Sequence, residues 1–145
     1  IISIESGKGL TSAQMVEGPI PVYGGNGITG YHKEALIHEE TVVIGRVGFY
    51  CGSIHITEQE SWVTDNAFIT TYPQNSLDRN FLVYMLRHMN LGRDNNATAQ
   101  PVVSGKKIYP LAFPLPPLAE QKRIVARIEK LLPLCEKLNA VSGCK

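Results

Sequence analysis

The sequence has only three cysteines among its 145 residues, and no two of them form a CxxC pair. This scarcity argues against both a disulfide-stapled fold and a structural zinc site. No apolar run approaches the roughly 18 residues of a membrane-spanning helix, and the N-terminal IISIESGKG lacks the order of a signal peptide. We therefore expect a cytoplasmic chain with reduced thiols, about one globular domain in size.

An excess of one charge is also missing, since 14 basic residues nearly balance 13 acidic ones. Such a chain is not a polycation that coats nucleic acid unaided. The charges are nevertheless unevenly distributed: six basic residues oppose ten acidic ones up to Gln100, and eight oppose three from Pro101 onward. Glycine and β-formers dominate the first part and helix formers the end. The sequence therefore predicts a globular head, residues 1–116, and a helical tail, residues 117–145.

The head is predicted to contain short β-strands. Residues 41–57 carry β-branched and aromatic side chains on both sides of two glycines, which indicates two strands bent at a glycine turn. Residues 62–73 indicate further strands, interrupted at Asp65 and Asn66 because these side chains favour turns.

Helical periodicity appears between residues 78 and 89, with Ser76 or Asp78 as the N-cap. Residues 91–105 are predicted to form a long polar surface loop, and the proline-rich residues 106–117 an extended segment. The predicted fold class is α+β: a mixed, β-rich domain with one packed helix, followed by a long C-terminal helix of coiled-coil type.

The tail carries an apolar stripe whose members are separated by four, three, four and three residues. A mean step of 3.5 residues is typical of a coiled-coil seam. The alternative is a helix that packs on its own head. Pro133 is expected to bend or shorten the helix by removing one hydrogen bond. The predicted partner-contacting residues are Ile124, Ile128, Leu131, Cys135 and Leu138.

Sites for catalysis or cofactors are weakly indicated. Residues 25–30 match GxGxxG, but the following segment is too short and irregular for a dinucleotide-binding helix, so a glycine-rich turn is favoured. Cys51 and His55, four apart on a strand, would lie roughly 13 Å from each other and could not share a metal ion. Ser53, His55 and Asp65 lack a nucleophile elbow. We expect no catalytic residue, metal or cofactor.

Polar side chains on the glycine-rich turns and long loops supply hydrogen-bond donors suited to base edges and phosphates. Loops of this composition are surface features by default, so the pattern alone is unspecific. The candidate DNA-contacting residues are Lys8, Tyr23, Asn26, Thr29, Arg46, Tyr50, Ser53, Asn66, Asn96, Thr98, Gln100 and Lys106.

The order of five segments resembles that of the specificity subunit of type I restriction-modification enzymes. The segments are PVYGGNGITGYH, VVIGRVGFYCGSI, WVTDNAFI, ATAQPVVSG and IYPLAFPLPPLAEQKRIVARIEKLL, of which PLPPLAEQKRIV is the most specific. The likeness implies a target recognition domain that reads one half of a split DNA site. It also implies that the helix from Leu118 to about Leu138 pairs with a second helix, sets the spacing between half-sites and docks the modification subunits.

By this resemblance the chain is a non-catalytic specificity subunit or half-subunit that binds double-stranded DNA. Its partners would be the modification (methyltransferase) subunits and, through them, a restriction subunit. Consistent with this division, the sequence has no Asn/Asp-Pro-Pro-aromatic motif. Full-length members of the family carry two recognition domains and two helical regions, whereas one of each is found here, and a homodimer through the tail is one way to complete the pair.

Two alternatives remain open. The chain could be an assembly module that dimerises through its C-terminal helix without reading DNA. It could also be a recognition domain originally fused to a restriction enzyme.

Overall fold

The computed structural model describes residues 1–92 and 102–142, with the backbone alone for residues 139–142. Within these ranges seven strands and three α-helices occur, together with a 3-10 turn at Ser12–Gln14. The α+β fold class is thereby confirmed. The elements are β1 Ser3–Ser6, β2 Ile20–Gly24, β3 Gly27–His32, β4 Val42–Gly45, β5 Ile54–Ile56, β6 Trp62–Val63, β7 Ala67–Thr71, α1 Arg79–Met89, α2 Gly105–Ile108 and α3 Leu118–Ser142.

The strands form two sheets. The first has the order β1-β7-β4-β5 with every neighbouring pair antiparallel. The second has the order β3-β2-β6, in which β2 pairs antiparallel with β3 and parallel with β6. The predicted break at Asp65 and Asn66 is confirmed, since it separates β6 in one sheet from β7 in the other.

Strand β4 lies between two hydrophobic clusters, which explains its unbroken apolar sequence. Val42 and Ile44 face the main core, built with α1 residues such as Leu82 and Leu86. Val43 points to the opposite side, into a smaller cluster with Val63 of the second sheet. Because successive side chains of a strand alternate between faces, burial on both sides requires apolar residues throughout.

Helix α1 begins and ends close to its predicted bounds. Asp78 caps it by accepting a 3.0 Å hydrogen bond from the backbone N–H of Phe81. Asn90 ends it in the left-handed conformation, with φ 46°. The local signals in the sequence were therefore sufficient for this element.

The segment predicted to be extended, residues 106–117, begins instead with the last residues of helix α2. The prolines that disfavour helix start only at Pro110, and the turn places Ile108 in the main core with 3% of its surface exposed. The prediction was wrong for this first part because burial of Ile108 favours the helical turn.

Helix α3 runs continuously from Leu118 through Pro133 to Ser142, so Pro133 does not shorten it, and the bend expected near Lys130 to Pro133 stays a prediction. Its first turns pack on the head, where Gln121 and Val125 are buried and Ile124 is partly buried against the main core. All side chains from 131 to 138 are exposed. No helix in the described part of the chain has the length and apolar character needed to cross a membrane.

Candidate nucleic-acid interface

Three connecting loops meet beside each other: the β2–β3 turn (24–27), the β4–β5 loop (46–53) and the β6–β7 turn (64–66). We call them together the three-loop surface. The backbone N–H of Arg46 donates to the carbonyl of Asn66 at 2.8 Å. The Ser53 hydroxyl donates to the Gly25 carbonyl, also at 2.8 Å. Hydrogen bonds therefore join all three loops, although the loops connect strands of two different sheets.

Glycine permits this close approach. A Cβ atom on Gly45 would lie 2.1 Å from the carbonyl oxygen of Gly25, and one on Gly25 would lie 2.8 Å from that of Val47. Gly27 has a φ of +89°, which a side chain would strain. The GxGxxG segment, residues 25–30, thus comprises the predicted glycine-rich turn and the first four residues of β3.

Two asparagines project from this surface, Asn26 in the first turn and Asn66 in the third, and both are exposed. Arg46 lies between the loops in a partly buried position. Its guanidinium packs over the Phe68 ring at 5.3 Å from the centroid and donates to the Ser6 hydroxyl at 3.3 Å. These contacts orient the positive charge without removing it from solvent.

A cleft of about 620 Å³ opens beside the third turn. Thr29 and Asn66 line it together with residues 9–12 and Gln14. Thr29 is exposed, and its hydroxyl also donates to the Val22 carbonyl at 3.2 Å. Lys8 precedes this lining segment and is exposed, with its Nζ 5.7 Å from the centroid of the Trp62 ring.

Tyr23, one of the predicted contacts, is almost fully buried. It is 5% exposed, and its hydroxyl accepts a hydrogen bond from the backbone N–H of Glu58 at 3.2 Å. Burial raises the pKa of this hydroxyl above its usual value. Tyr23 therefore supports the surface from within. Ser53 also has its hydroxyl engaged in joining two loops.

The other predicted contacts are distributed differently. Tyr50 lies exposed at the tip of the β4–β5 loop beside Phe49, a residue that the sequence analysis did not select. The sequence does hold a signal for an exposed position of Phe49, since both aromatics stand between Gly48 and Gly52, in the predicted glycine turn. Lys106 is exposed on α2, outside the three-loop surface as defined. Asn96, Thr98 and Gln100 lie outside the described residues.

The residues weighed for catalysis do not form a triad. The Ser53 hydroxyl is directed to the Gly25 carbonyl. Burial, and then the positive charge of Arg87, lower the pKa of His55, so its ring is neutral at pH 7. In the ranges that the structure describes, no three His, Cys, Asp or Glu side chains are grouped as metal ligands would be.

The predicted stripe on α3 changes environment along its length. Ile124 packs partly on the head, whereas Leu131 is 47% exposed and Leu138 67% exposed. Ile128 is partly buried, and Cys135 is exposed. A shallow, largely apolar groove of about 650 Å³ runs beside Ile124, Ile128 and Leu131, flanked by basic side chains. The stripe is thus accessible beyond the head, and its pairing with another helix stays a prediction.

Comparison with known proteins agrees with this architecture. Residues 1–141 match the family model described as type I restriction modification DNA specificity domain. The specificity subunit of the type I restriction enzyme EcoprrI from Escherichia coli is 29% identical over 151 aligned positions, which cover 100% of this chain and 37% of that protein.

Two solved structures share the fold. The S subunit of a type I restriction-modification system from M. genitalium superposes with a TM-score of 0.68 at 15% identity, covering 96% of this chain and 38% of that one. The HsdS subunit from Thermoanaerobacter tengcongensis superposes with a TM-score of 0.71 at 20% identity, covering 100% of this chain and 38% of that one. The chain thus spans well under half the length of these relatives. On the family match over residues 1–141, it belongs to the type I restriction modification DNA specificity domains.

Proposed function

We propose that the chain recognises one half of a bipartite site in double-stranded DNA, as a specificity subunit or half-subunit of a type I restriction-modification system. The observation that carries this proposal is the three-loop surface, where the exposed Asn26 and Asn66 and the partly buried Arg46 lie on loops fixed to one another. The chain itself would perform no catalysis, and the methyltransferase and restriction activities would belong to partner subunits.

The side chains suit base readout. An asparagine amide can pair with both the N6 and N7 positions of adenine, and an arginine guanidinium with O6 and N7 of guanine. Such pairing discriminates only when the side chain is held in register with the base edge. The hydrogen bonds between the loops supply that fixed register.

Charge supports a division of labour between the head and its partners. The head, residues 1–116, has ten acidic side chains against eight basic ones, so it offers few phosphate contacts. Phosphate contacts provide most of the nonspecific affinity for DNA. We therefore assign most of the contacts with DNA phosphates to the modification subunits, which would dock on helix α3.

The exposed stripe on α3 favours pairing of helices. Two copies of the chain joined through Ile128 and Leu131 would form a twofold molecule, and such a molecule would favour a palindromic split site. A chain that assembled in this way without selecting any DNA sequence would instead be the assembly module.

Asn66→Ala tests the assignment of base readout. In a complex with co-expressed modification subunits, we expect this variant to relax preference at one base position by about 10-fold, because a bidentate contact discriminates by about 1–3 kcal/mol. Binding-site selection from a random duplex pool, followed by sequencing, measures the preference.

Asn75→Ala is the matched control, since Asn75 is exposed but lies in the loop before α1. The control should retain the wild-type preference at every position. Equal effects of the two substitutions, or none from Asn66→Ala, would argue against Asn66 as a base contact.

A further inference from the structure

The loop between β4 and β5 carries two adjacent aromatic rings at its tip. Phe49 is 87% exposed and Tyr50 is 56% exposed. The two rings pack in a T-shaped, edge-to-face arrangement, with centroids 5.1 Å apart and planes at 85°. Because removal of aromatic surface from water is favourable, a paired aromatic projection is a surface that a ligand can bury with a gain in free energy.

The backbone that carries these rings is anchored on both sides of the tip. Cys51 follows them directly, is 7% exposed, and belongs to the main core. Its N–H donates to the Gly48 carbonyl at 3.0 Å, and the N–H of Ser53 donates to the Tyr50 carbonyl at 3.0 Å. The backbone at the tip is therefore ordered before binding, and little further ordering is required.

The neighbouring side chains indicate what the rings would contact. On the rest of the three-loop surface the exposed side chains are Asn26, Asp65 and Asn66, and Arg46 lies at the base of the aromatic loop. Val102, which is 46% exposed and pairs with Val47 of the same loop, adds apolar surface near the rings. The amides of the neighbouring turns and the Arg46 guanidinium suit the polar edges of nucleic acid bases, and the two rings suit their flat faces.

We propose that Phe49 and Tyr50 form a wedge that enters duplex DNA at a base step, with Phe49 stacking on the base that it uncovers. This inference rests on the proposed function, and it adds a deformation of the DNA to the readout by hydrogen bonds. Apolar side chains that enter a base step unstack it and kink the duplex. Since pyrimidine–purine steps unstack most easily, the wedge would favour such a step without reading its edges.

The test uses the chain assembled with its modification subunits and a duplex selected by that assembly from a random pool. Phe49→Ala should weaken binding to this duplex about tenfold, a typical loss for an aromatic that stacks on a base. It should also reduce the bend measured by energy transfer between dyes at the two duplex ends. Phe49→Trp should keep both properties.

Tyr31→Ala is the matched control. Tyr31 is 55% exposed and lies four residues along β3 from Gly27, which corresponds to roughly 13 Å. This variant should bind and bend the duplex as the wild type does.

A mismatch at the kinked step should strengthen wild-type binding, since it lowers the cost of unstacking. The same mismatch should leave the affinity of Phe49→Ala unchanged.

Binding of Phe49→Ala within twofold of wild type, or a loss of affinity with an unchanged bend, would overturn the wedge. In both cases the selected sequence would still support recognition of DNA by the head. A wild-type assembly that selects no sequence would overturn the proposed function itself, and the wedge with it.

Discussion

Gln121→Met should lower the free energy of unfolding by about 3 kcal/mol, because it leaves three partly buried backbone groups without their partner, each at the lower end of a cost of about 1–3 kcal/mol. Gln121 has no exposed surface. Its side-chain oxygen accepts from the N–H of Asp78 at 2.8 Å, and its Nε2 donates to the carbonyls of Ser76 and Pro116, each at 2.8 Å. Methionine fills a similar volume but makes none of these bonds. Urea denaturation followed by circular dichroism measures the loss.

The bonds to Asp78 and Ser76 connect helix α3 to the segment that caps helix α1, and the bond to Pro116 holds the chain just before α3, so Gln121 fixes the start of the tail on the head. Lys122→Met is the control, since it makes the same substitution at the next, exposed position. We expect it to change stability by less than about 0.5 kcal/mol. Similar midpoints for both variants would show that the Gln121 bonds contribute little.

Ile128→Asp should prevent assembly through α3 while the head stays folded. Ile128 lies in the apolar groove, beyond Val125, which is the last α3 residue classed as buried among the side chains described up to Leu138. A carboxylate in an apolar helix interface would be desolvated without a partner, at a cost of about 2 kcal/mol or more, equivalent to roughly 30-fold in affinity. Light scattering of the chain co-expressed with modification subunits measures the mass of the assembly.

Ala119→Asp is the matched variant, since it adds the same charge at an exposed position in the first turn of α3. A negative charge there is favourable to the helix dipole. This variant should assemble normally. An unchanged mass for Ile128→Asp, with a circular dichroism spectrum of the wild type, would show that the groove is not the contact between chains.

Local signals predicted the elements that local interactions determine. Helix α1 was predictable because Asp78 caps it and its apolar residues recur at helical spacing. The turn at Asp65 and Asn66 was predictable from the backbone-bonding preference of these side chains. Helix α2 was not predictable, because its stability depends on burial of Ile108 among residues distant in sequence.

The candidate site depends still more on long-range contacts. Asn26, Arg46 and Asn66 were selected singly, but only the order of strands in two sheets brings their loops together. Tyr23 stands in a glycine-rich segment whose composition is typical of a surface turn, yet the pairing of β2 with β6 buries it. Gln121 stands among charged residues, and its partners in the loop before α1 are 43 and 45 positions away.

Binding-site selection by the assembled complex tests most directly whether the head chooses a DNA sequence. The chain, its modification subunits and a random duplex pool would be combined, and the bound duplexes sequenced after several rounds. We predict enrichment of a short fixed sequence that changes when the head is exchanged for that of a relative while α3 is kept. A pool that stays random, or a sequence that follows the modification subunits and not the head, would contradict recognition by this chain.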